Sequence, residues 1–192
     1  MDTKTDNADK REIILQTTLK LLSERGLTDT PMSLIVRESG VSTGAIYHYF
    51  KNKDKLIQAL YHEIKSRMVE SLLFGYVPEA SCKEKFLYLW KTLVKYNISH
   101  PMEIKFLEQY ENSPYYDVKQ VMEYHKLLKP ALSFFEKGKQ EKILKDLPLE
   151  ILMEMGMAVG VSLVKQHLHG SLKLTEELID ASALACWDAV KR

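Results

Sequence analysis

TPMSLIVRESGVSTGAIYHYFKNKDK, residues 30–55, decides the fold. It reads as a short helix, a tight turn, a second short helix and a lysine cluster. Thr30 is suited to cap the first helix by accepting a backbone N–H, and Pro31 suits its first turn, where no N–H partner is needed. Met32, Ile35 and Val36 fall on one apolar face at helical spacing. Gly40 takes the left-handed conformation that ends a helix without a Cβ clash. Val41 fills the angle between the two helices. Ser42 caps the second helix, Thr43–Phe50, in which Ile46 and Phe50 share a face at i, i+4. The opposite face presents Thr43, Gly44, Tyr47 and His48, small or polar groups suited to base edges and phosphates. This is the outline of a helix-turn-helix, a motif whose second helix enters the major groove of DNA.

Outward from this stretch the pattern stays helical. Lys10–Arg25 places Ile14, Thr17 or Thr18, Leu21 and Leu22 on one face, with Gly26 as its stop. Residues 1–9 are expected to fray. A long helix is expected from Asn52 to Phe74, with Leu56, Leu60, Ile64 and Met68 at steps of four. Ser81–Ile98 is amphipathic, Pro101 opens a helix through Phe106 and Tyr110, and a longer helix after Pro114 runs to Phe135, bent at Pro130. Gly138–Leu147 reads as a charged loop. Pro148–Leu168 and Thr175–Val190 are the last two helices. No Val, Ile and Thr alternation suggests a sheet. The expected fold is all-α: a helix-turn-helix head over residues 1–52, with the motif at about 31–50, and a larger helical body over residues 53–192. The long helix between them is expected to transmit rotation as a rigid connector.

Bulk properties narrow the function. The 192 residues carry a net charge of +1, so the chain is no polycation. Between residues 30 and 65, Arg37, Lys51, Lys53, Lys55 and Lys65 face Glu38, Asp54 and Glu63, a local balance of +2. Such a small excess requires well-placed charge, which a dimer doubles. It also keeps open an alternative, a helical protein-interaction module that binds no DNA. Cys82 and Cys186 lie far apart and suit a reduced compartment as small hydrophobes. The polar N-terminus is no secretory signal, and the longest apolar stretch, Ile151–Val164, is too short to span a bilayer. A cytoplasmic protein without membrane contact is expected. The six histidines show no ligand spacing, so no metal or cofactor is expected. No phosphate loop, nucleophile elbow or carboxylate pair points to an enzyme.

Two segments resemble a known family. IILQTTLKLLSERG (13–26) is similar to the opening helix of TetR-family bacterial transcriptional regulators, and ESGVSTGAIYHYFKNKDKLIQAL (38–60) is similar to that family's most characteristic segment. The resemblance implies a three-helix DNA-binding head and a helical body that binds a ligand and dimerises. By position it implies that Ser42 caps the recognition helix, with Thr43, Gly44 and Ala45 at its exposed start. Tyr47 meets the DNA backbone, and His48 and Tyr49 occupy variable neighbouring positions. Lys53 attracts a phosphate at the start of the fourth helix. Thr30 and Ser33 contact phosphate from the second helix, and Lys51 adds charge beside them. Pro31 departs from a frequent hydroxyl residue. No Arg or Lys lies between Ser42 and Phe50, so that helix lacks the bidentate guanine contact, for which Arg37 partly compensates.

The body is rich in large, soft side chains. Trp90, Phe106, Tyr110, Met122, His125, Phe134, Met153 and Met157 are either core or, as the resemblance implies, the lining of a small-molecule cavity. Gly156 and Gly160, and Ala181, Ala185 and Ala189, repeat small residues at steps of four. Close packing within one subunit and an intersubunit four-helix bundle both fit that spacing; the resemblance favours the dimer. The expected function is a homodimeric, ligand-responsive repressor of double-stranded operator DNA, released by a small apolar or amphipathic effector.

Overall fold

The computed structural model describes residues 3–192, with side chains from residue 9 onward. Met1 and Asp2, part of the stretch expected to fray, lie outside the described residues; from Thr3 the chain is helical. The helices are α1 (Thr3–Arg25), α2 (Met32–Ser39), α3 (Thr43–Tyr49), α4 (Lys53–Leu73), α5 (Cys82–Ser99), α6 (Pro101–Glu111) and α7 (Val118–Gln140). Then come α8 (Leu149–Met153), a π-helical segment (Glu154–Ala158), α9 (Val159–Leu168) and α10 (Glu176–Val190). Among the described residues the one β-pairing is an isolated bridge between Leu144 and Lys191.

Packing divides the chain into two compact units. One runs through Lys65 and takes in Met102–Gln120; the other holds Ser66–Pro101 and Val121–Arg192. This packing division is separate from the functional boundary expected at residues 52 and 53.

In the first unit α1 packs on α2 and α3. Its core includes Ile14, Leu15, Leu22, Ile35, Ile46, Leu56 and Ile57, all fully or almost fully buried. Of the face expected on α2, Ile35 is buried while Met32 and Val36 are half-buried; Leu34 takes the second buried place. Arg11 of α1 pairs with Glu63 of α4 at 3.2 Å. Phe106 and Tyr110 of α6 are fully buried, and Tyr110 stacks on Tyr61 with ring centroids 4.3 Å apart.

In the second unit α5 packs on α9 and α10. A capping box starts α5. The Ser81 hydroxyl accepts from Glu84 N–H at 3.2 Å, and the Glu84 carboxylate accepts from Ser81 N–H at 2.9 Å. These bonds satisfy two donors that every helix start leaves open. α7 continues five residues past the expected end at Phe135, through Gly138. A Cβ at Gly138 would lie 2.9 Å from Cys82 Sγ and from Leu144, so glycine permits this close approach.

Candidate nucleic-acid interface

The helix-turn-helix forms from the local chemistry of the sequence. α2 ends at Gly40, whose φ of 65° and ψ of 5° are left-handed. Ser42 caps α3 by accepting from Ala45 N–H at 3.4 Å. Val41, Ile46 and Phe50 are buried and hold α3 against the head. The remaining side of α3 faces solvent. Ser42, Thr43, Gly44, Tyr47 and His48 are exposed, and Ala45 and Tyr49 are half-buried. The His48 ring stands edge-on to Tyr49 at 5.5 Å. Ser33 and Lys51 are exposed nearby, and Arg37 is exposed while pairing with Glu38 at 2.9 Å. The exposed face of α3 therefore carries no carboxylate, and Lys51 follows it in the chain.

One residue assigned to this face belongs elsewhere. Thr30 is fully buried, and its hydroxyl donates to Gly26 O at 2.8 Å. Pro31 occupies the N-cap position of α2, which has no side-chain cap. Thr30 thus closes the α1–α2 loop, and its donor is spent inside the protein, so it is neither the cap nor a phosphate ligand. Lys53, the first residue of α4, is half-buried, and its ammonium donates to Leu27 O. Burial lowers its pKa, opposed by the nearby Asp54 and Asp29 carboxylates.

The residues expected to line a cavity separate by burial. Trp90 is fully buried and its indole N–H donates to Gly156 O at 3.0 Å. Phe134 is buried and stacks on Phe135, with centroids 4.4 Å apart. Met157 is buried and Met153 half-buried. Met122 and His125 are exposed, which removes them from an inward-facing set. The buried face of α7 is formed by Leu128, Ala131, Phe134, Phe135 and Gly138 instead. An open groove of about 500 Å³ lies elsewhere in the second unit, lined by Gly75, Tyr76, Val77, Glu79, Ala80, Glu84, Lys85 and Tyr88. It includes none of the predicted lining residues.

The small residues divide in the same way. A Cβ at Gly156 would lie 2.9 Å from Phe86, and one at Gly160 would lie 2.9 Å from Val94 and 3.1 Å from Trp90. Their smallness therefore serves packing within the chain, a correction to their reading as intersubunit contacts. Ala181 and Ala185 are exposed and Ala189 is half-buried. On the same helix Leu178 and Leu184, and on α8, the π-helical segment and α9 Ile151, Met155 and Val159, are exposed apolar side chains. Burial raises the Cys82 thiol pKa to about 11, with Glu141 adding to the rise and Lys85 opposing it. It also raises that of Cys186. Neither thiol is an activated nucleophile.

Comparison with known proteins agrees with this architecture. Residues 14–60 match the model for bacterial regulatory proteins of the tetR family, and residues 81–191 match the tetracyclin repressor-like C-terminal domain. An HTH-type transcriptional regulator of Haemophilus influenzae is 25% identical over 189 residues, covering 98% of each chain. The HTH-type regulator BetI of Escherichia coli is 32% identical over 78 residues, 40% of each chain. The crystal structure of a TetR-family regulator from Marinobacter aquaeolei VT8 superposes with a TM-score of 0.90 at 22% identity, over 100% of this chain and 99% of that one.

Fold and site together define an all-α, helix-turn-helix transcriptional regulator. The chain belongs to the TetR family.

Proposed function

We propose that the chain acts in the cytoplasm as a homodimeric repressor, released from a palindromic operator by a small apolar or amphipathic molecule. The exposed face of α3 carries this reading: five exposed residues of the motif, Ser42, Thr43, Gly44, Tyr47 and His48, stand on buried anchors. Two heads would place α3 in successive major grooves about 34 Å apart. Ser33, Tyr47, Lys51 and Lys53 would supply phosphate contacts, which give affinity and register. Thr43, Gly44, Ala45 and His48 would supply sequence choice. With no Arg or Lys on α3, thymine-methyl contacts and DNA shape carry much of that choice.

The dimer reading is supported by the exposed apolar side chains of the last helices. Ile151, Met155 and Val159 follow one another at steps of four, and Leu178, Ala181, Leu184 and Ala185 are exposed on α10. A patch of this kind marks an interaction surface. The effector reading is supported by the π-helical segment at Glu154–Ala158, whose Gly156 carbonyl accepts from the Trp90 indole. Such segments recur at functional sites. An effector that favours a wrong spacing of the heads by about 1–3 kcal/mol lowers operator affinity 5–150-fold.

Sedimentation tests the dimer. The wild-type chain should run as a dimer at micromolar concentration. Leu184→Glu, which places a carboxylate in the apolar patch, should weaken the dimer at least about tenfold, since an unpaired buried charge is costly. A wild-type monomer, or an unaffected Leu184→Glu dimer, contradicts the assignment.

A further inference from the structure

The surroundings of Lys53 hold more than a phosphate ligand needs. Its ammonium donates inward to Leu27 O, in the α1–α2 loop. The ring of Tyr115, in the turn between α6 and α7, covers the same ammonium with 5.9 Å between Nζ and ring centroid. That distance is within cation–π reach. Asp29 and Asp54 add negative charge close by. The loop carrying the Leu27 carbonyl is closed by the Thr30 hydroxyl, which donates to Gly26 O at 2.8 Å, and the last turn of α1, from which the loop leaves, is held by the Gln109 amide of α6, which donates to Leu22 O at 3.2 Å. Thus α6 holds the end of α1 that leads into this loop, and the turn after α6 reaches Lys53 directly through the Tyr115 ring. All these residues belong to the first unit.

We infer that Tyr115 is a positioning residue for DNA binding: its ring and the Leu27 carbonyl hold the Lys53 ammonium away from the DNA-facing surface. The inference rests on the proposed role of Lys53 as a phosphate ligand. An ammonium engaged with a carbonyl and a ring must give up those contacts before it meets a phosphate. The loss is subtracted from operator affinity. A displacement of the α6–α7 turn therefore changes affinity without touching α3.

A double-mutant cycle tests this with the full chain and a palindromic duplex selected by the wild type from random DNA. Affinity is measured across salt concentrations. Lys53→Ala should weaken binding and flatten the salt dependence by about one ion per head. Tyr115→Leu should raise affinity about two- to fivefold per head, the scale of an exposed cation–π contact. Tyr115→Phe, which keeps the ring, should match the wild type. In the Lys53→Ala background Tyr115→Leu should have no effect. If Lys53→Ala leaves affinity and salt slope unchanged, the phosphate role fails and the positioning role fails with it. If Lys53→Ala acts as expected but Tyr115→Leu changes nothing, or changes both backgrounds equally, the positioning role alone is overturned.

Discussion

Gly44→Glu should lower operator affinity at least about 100-fold while leaving the fold intact. Gly44 is exposed on α3, and a Cβ there meets no atom within 4 Å. Replacing a helical glycine is favourable by up to about 1 kcal/mol, and a carboxylate near a helix start is favourable too. In the free protein the substitution is therefore neutral or stabilising. On DNA the same carboxylate would sit where the helix approaches bases and phosphates, and like-charge juxtaposition costs several kcal/mol. Gly44→Ala, which adds bulk without charge, should lose much less. Fluorescence anisotropy with a labelled operator, paired with thermal melting, separates the two effects. Full affinity in a folded Gly44→Glu chain removes this face of α3 from the interface.

Trp90→Ala should destabilise the chain by about 3–5 kcal/mol, the cost of emptying a buried Trp site. Trp90 has no exposed surface, and Gly160 leaves room for its ring: a Cβ there would lie 3.1 Å from the indole. The indole N–H also satisfies the Gly156 carbonyl at 3.0 Å, inside the π-helical segment. At about 2–4 °C per kcal/mol for a chain of this size, the melting temperature should fall by roughly 6–20 °C. Trp90→Phe keeps most of the volume but leaves that carbonyl without its indole donor, at about 1–3 kcal/mol. Thermal unfolding that separates neither variant from the wild type contradicts this packing.

These contrasts show what the sequence makes legible. Ser42 was readable as a cap because its acceptor role is local: the bond reaches only to Ala45 N–H. Gly40 was readable because the turn at its position needs a positive φ, observed at 65°. Thr30 presents the same hydroxyl chemistry before a helix, yet its bond runs backward to Gly26 O and closes a loop. Residue type alone does not distinguish a hydroxyl that accepts from one that donates. The spacing of Gly156 and Gly160 was visible as well, but spacing says only that something approaches closely. That Phe86, Trp90 and Val94 fill the space is a tertiary fact. Tyr115 over Lys53 joins the α6–α7 turn to the start of α4, distant in sequence, and no periodicity encodes that contact.

Footprinting of the wild-type chain on DNA selected from a random pool reveals whether two α3 helices bind as a pair. One palindromic site with two protected half-sites is expected, their centres about 10–10.5 base pairs apart or a multiple of that, as a two-fold pair of α3 helices requires. Protection of a single, unpaired half-site would contradict that pairing.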